Sequence, residues 1–129
     1  MTRFIYCKVE GGVNIELPEL EELTKQLFPD HQIIIDQILR TRGLGNMENW
    51  TIKIMPNHYQ DMQKGFGQLC RGIQMIILGL ATREEMVLSL LHEIVHFRFH
   101  DLSEIQIEKM ALEWYGKKDS WFLRKELKV

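Results

Sequence analysis

Residues 91–100 read L-H-E-I-V-H-F-R-F-H, which sets three histidines and a glutamate in a single ten-residue stretch. On a helix His92 and His96, at i and i+4, share one face about 6 Å apart along the axis, close enough for two imidazoles to bind one zinc ion. Glu93 follows His92 but is rotated away from such an ion, where a general base for a polarised water would stand. The pattern is H-E-x-x-H.

The residues before it predict the helix. Thr82-Arg-Glu-Glu85 has capping-box spacing, a hydroxyl at the N-cap and a carboxylate three residues on, ahead of an apolar-rich segment. At about 100° per residue, Glu85, Ser89, His92, His96, His100 and Glu93 fall within a stripe of roughly 100°. Met86, Val87, Leu88, Leu90, Leu91, Ile94, Val95, Phe97 and Phe99 fill most of the remaining circumference, with Arg98 the exception. A surface helix has a broad polar face and a modest apolar stripe, and this one reverses the proportion. A helix sunk in a core and exposing only its reactive groups to a cleft has this pattern.

A catalytic zinc ion takes three protein ligands and a water, so the two histidines need a partner among His100, Asp101, Glu104, Glu108 and Glu113. His100 lies about 12 Å along the axis from His92, too far to share an ion if the helix continues, and is expected near the site or facing solvent. Ser103-Glu-Ile-Gln106 repeats the capping-box spacing, so a second helix is expected from Glu104 to about Tyr115, antiparallel to the first. Rise arithmetic sets Glu108 across from His96 and Glu104 across from His100. Glu108 is the expected third ligand, Glu104 the reserve, and Glu113 lies too far along.

These elements need a scaffold. Arg3–Val9 alternates and ends at Gly11-Gly12, predicting a strand and a turn. Pro18, early acids and Leu20, Leu23 and Leu27 predict a helix, and Asp30 is placed to cap another through His31–Arg40. Trp50–Met55 and Ile73–Leu78 read as two further strands, and Asn57–Gly72 as a loop or irregular hairpin. His31 and His58, alone among polar residues, are expected at the surface, and Trp50, Trp114 and Trp121 in or beside the core. The C-terminal W-F-L-R-K-E-L-K-V is expected to pack as a short helix.

Composition bounds the partners. With 129 residues, 45 % of them hydrophobic, one domain spanning 1–129 is expected. Sixteen Lys and Arg against eighteen Asp and Glu, a net charge of −2, offer no basic footprint for nucleic acid. No run approaches the roughly 20 apolar residues of a membrane span, and the N-terminus lacks a signal-peptide pattern, so a cytoplasmic protein is expected. Cys7 and Cys70 read as reduced thiols.

H92-E-I-V-H96 followed by a helix carrying E108-K-M-A111 resembles the gluzincin zinc metallopeptidases, with small ImmA/IrrE-type peptidases the nearest likeness and minigluzincins next. The resemblance spans about Ile73–Tyr115. It departs in a short interval from His96 to Glu108 and in Ala111-Leu112, where an Ala-Asn pair often stands. Phe99 and Leu102 occupy the positions where a metzincin needs Gly and His, which excludes that group. The resemblance implies an α+β, zincin-like fold with a small mixed sheet of about three strands, a buried H-E-x-x-H helix and an antiparallel glutamate-bearing helix. It implies one Zn2+ per chain on His92, His96 and Glu108, Glu93 as catalytic base, and Ile73–Leu78 as the edge strand that aligns a peptide. The expected activity is endopeptidase cleavage of a protein substrate, in keeping with the likeness a regulatory one. The alternative is a catalytically silent zinc-fold interaction module. Tyr115, His58, Tyr59 and Arg71 have the chemistry to donate to an oxyanion.

Overall fold

The alternation from Arg3 makes strand β1 (Arg3–Glu10) in the computed structural model, which describes residues 2–57 and 65–116. Gly11 and Gly12 follow at φ 58° and 79°, the left-handed pair that a two-residue hairpin requires, and turn the chain into β2 (Val13–Glu16). Helices α1 (Pro18–Leu27) and α2 (His31–Arg42) then cross to β3 (Thr51–Met55). Next come β4 (Gly67–Cys70), one 3-10 turn over Arg71–Ile73 and β5 (Met75–Gly79), before α3 (Arg83–Arg98) and α4 (Glu104–Gly116). The result is a small α+β domain around a mixed sheet of order β2-β1-β3-β5-β4. β1, β3 and β5 are parallel, and β2 and β4 are antiparallel edges.

The sheet has five strands where about three were expected, and the additions are its two edges. Every residue of β2 is exposed, so it lacks the half-buried alternation that marks a strand, and its ladder to β1 holds it. β4 is four residues long, starts at glycine within the segment expected as a loop or irregular hairpin, and pairs antiparallel with β5 across the 3-10 turn. The strand expected over Ile73–Leu78 starts two residues later. Ile73 belongs to the 3-10 turn, and Gln74, at φ 51°, precedes β5. That strand is not an edge, because β4 lies outside it.

The core lies on the sheet face carrying Tyr6, Ile52, Ile54, Ile76 and Leu78, against Phe28, Ile34, Ile38 and Leu39 before α3 and Leu90, Leu91, Ile94 and Val95 within it. Burying each large aliphatic side chain contributes about 1.5–3 kcal/mol, so the sheet and α2 fix the position of α3 firmly. Trp50 and Trp114 join the core as expected, whereas Trp121 and the C-terminal W-F-L-R-K-E-L-K-V fall outside the described residues. Cys7 and Cys70 are free thiols. No helix among the described residues is long and apolar enough to cross a membrane.

His31 overturns its expected surface position: it is 1 % exposed. Its Nε2 meets the Tyr6 hydroxyl at 2.5 Å, its Nδ1 lies 3.1 Å from the Phe28 carbonyl, and Phe4, Tyr6 and Phe28 surround the ring. Asp30 precedes α2, but its side chain makes no capping hydrogen bond.

Candidate metal centre

Two caps set the active helices in register. The Thr82 hydroxyl accepts from the Glu85 backbone N–H at 3.4 Å, opening α3 as the spacing predicted. Ser103 and Gln106 complete a reciprocal box at α4, with Ser103 N donating to Gln106 Oε1 at 2.9 Å and Gln106 N to Ser103 Oγ at 3.3 Å. Between them α3 ends at Arg98, whose guanidinium donates to the Arg42 carbonyl at 2.9 Å and stacks over Phe99 and Trp114. Glu104 stands beside His92 and His96, while Ala111 and Leu112 face Leu88 and Ser89 across a cavity, so the two helices run antiparallel.

That early end decides which carboxylate meets the histidines. Helix to His100 would have set Glu108 opposite His96, but five residues of turn after Arg98 carry the start of α4 back about one turn. Glu104, the reserve, therefore reaches both rings: its Oε2 lies 3.2 Å from His92 Nε2 and its Oε1 2.9 Å from His96 Nε2. The imidazole centroids are 4.9 Å apart. The structure does not bring Glu108 to them; it lines the neighbouring cavity with His92 and Glu93. His100, beyond the helix end, is exposed and 3.5 Å from Asp101, and Glu113 is exposed on α4.

Ligand atoms of His92, His96 and Glu104 all lie within 4.8 Å of one another, and no other group of this kind occurs among the described residues. Two imidazoles and a carboxylate suit zinc, whose bonds of about 2.0–2.1 Å in a tetrahedron separate ligand atoms by about 3.3 Å. Each imidazole lies 2.9–3.2 Å from one Glu104 oxygen, and all three ligand atoms lie within 4.8 Å of one another. The donor set therefore fits the ion.

Glu93 is buried on the same helix and opens to both sides of the site. Burial, reinforced by the nearby Glu104 charge, pushes its carboxyl up to about 7, the range in which a general base works near neutral pH. β4 crosses directly over it. A methyl group on Gly67 would stand 3.1 Å from Glu93 Oε2, so glycine lets the edge strand approach this closely. Reading this segment as a loop or irregular hairpin did not place that approach, although Gly65 and Gly67 carried the signal.

Two recesses flank Glu93. One holds Gln68, Leu69, Arg71, His96, His100 and Glu104. Arg71 there donates to the carbonyls of His96 at 2.6 Å and Phe97 at 3.2 Å, tying β4 to the end of α3. Of the oxyanion donors considered, Arg71 is thus at the site. Tyr115 is half-buried against the core, and His58 and Tyr59 lie outside the described residues. No protein-family model, curated protein or solved structure matches the chain.

Proposed function

We propose that the protein is a zinc-dependent endopeptidase acting on a protein or peptide, with His92, His96 and Glu104 as ligands and Glu93 as general base. The observation that carries this reading is the position of Glu93, a buried carboxylate next to a three-donor cluster and beneath β4, the outermost described strand on its side of the sheet. Zinc held there by His92, His96 and Glu104 would supply Lewis acidity. Glu93, buried beside the cluster, would accept a water's proton and pass it to the leaving amine. Pairing along β4 holds an extended peptide over the base, the role expected of Ile73–Leu78 but available only to the outermost strand. Arg71 is charged and close enough to the recess to steady developing negative charge.

The test is metal content and peptide cleavage of the wild type beside Glu93→Gln. The proposal expects about one zinc per chain in both, cleavage by the wild type, and little by the variant. Equal cleavage by both proteins would remove Glu93 from the chemistry.

A further inference from the structure

The second recess beside Glu93 differs from the first in lacking an Arg71 counterpart among its described lining residues. Its volume is about 490 Å3, within the range of pockets that take a side chain or small ligand. α3 contributes Glu85, Leu88, Ser89, His92 and Glu93, the β4 approach contributes Gly65–Gly67, and α4 contributes Glu108, Ala111 and Leu112. Among the described residues, no Lys or Arg lines it. Glu85 is held by the Gly65 N–H, which donates to its Oε2 at 3.1 Å, and Glu108 makes no ion pair among the described residues. The Glu93 carboxylate, 7 % exposed and without a hydrogen-bond partner among the described residues, opens into the same space. A side chain on Gly65 would collide with Ser89 Oγ, so glycine there permits the wall to form.

Glu85 and Glu108 place two carboxylates at a recess with apolar walls, and a cation entering it gains charge-assisted hydrogen bonds to them. Phe66, Leu88, Ala111 and Leu112 offer a sheath for a methylene stem, and Glu85 and Glu108 offer acceptors for its charged head. Resting on the peptidase reading, we propose that this cavity binds the side chain of a lysine or arginine flanking the scissile bond. The substrate class is then a peptide with a basic residue at one fixed position beside the cut.

Two measurements keep this assignment separate from the peptidase reading. In amide NMR of the full chain stripped of metal, N-acetyl-lysine methylamide should shift Gly65, Gly67 and Leu112 saturably, and the norleucine compound of equal stem length should not. Glu108→Gln, an exposed substitution, should weaken the lysine response about tenfold, and adding Glu85→Gln should abolish it. Equal responses to the two compounds, or none to either, overturn the assignment. With the zinc-loaded protein and a mixed peptide pool, cuts should cluster at one fixed distance from Lys or Arg. Cleavage without that preference overturns the cavity assignment and leaves the peptidase reading standing. Lysine-selective binding without cleavage supports the cavity and counts against the peptidase.

Discussion

The environments of His31 and of His92 with His96 differ in what completes them. His31 is enclosed by Phe4, Tyr6 and Phe28, and each of its ring nitrogens has a protein partner, so nothing is left for a ligand. His92 and His96 are about a quarter to a third exposed and turn their Nε2 atoms to one carboxylate that is itself largely exposed. A histidine with two internal partners is part of the core, whereas two whose nitrogens converge at an open carboxylate could hold a metal ion. Burial alone would have chosen the wrong residue.

Substitutions can break this contrast. The largest effect is expected from Glu93→Gln, which should lower kcat/KM for peptide cleavage by about 10²–10⁴-fold, the usual contribution of a general base. Its zinc content should not change. Unaltered kinetics would mean that the buried carboxylate is a packing feature. Glu104→Gln removes a proposed ligand and should weaken zinc binding at least about a hundredfold in a competition titration, more than the loss of a supporting outer-shell contact. Equal zinc affinity in Glu104→Gln and wild type would break the assignment.

His31 should respond through stability. Its folded pKa is lowered chiefly by burial, so the unfolded chain binds a proton that the folded protein resists. Stability should therefore fall as pH drops through the unfolded value of about 6.5 and below. Thermal melts of wild type and His31→Phe between pH 7.5 and 5.5 should show the steeper decline in the wild type, and parallel curves would contradict the buried neutral ring. The smallest effect is expected at Gly67. Gly67→Ala crowds Glu93 Oε2 to 3.1 Å and should reduce cleavage severalfold with little change in Tm.

Local signals made much of the site legible. Thr82 and Ser103 announced both helices, and the reversed apolar proportion of α3 marked it as buried with its histidines at a cleft. What escaped depended on long-range geometry. The choice of Glu104 over Glu108 turned on α3 ending at Arg98, where the guanidinium engages Arg42 and Trp114, residues remote in sequence. β2 is exposed throughout and β4 offers only Leu69 to the core, so both are held by pairing with β1 and β5 and periodicity could not reveal them. His31 sits among polar neighbours in sequence, and the aromatic ring around it forms only once β1 and α2 meet.

The most direct test is zinc stoichiometry by mass spectrometry after equilibrium dialysis, for wild type, His96→Ala, Glu104→Gln and Glu108→Gln. One zinc per chain is expected in the wild type and in Glu108→Gln, with little or none in the other two. Full occupancy without His96, or loss at Glu108 with retention at Glu104, would contradict the centre described.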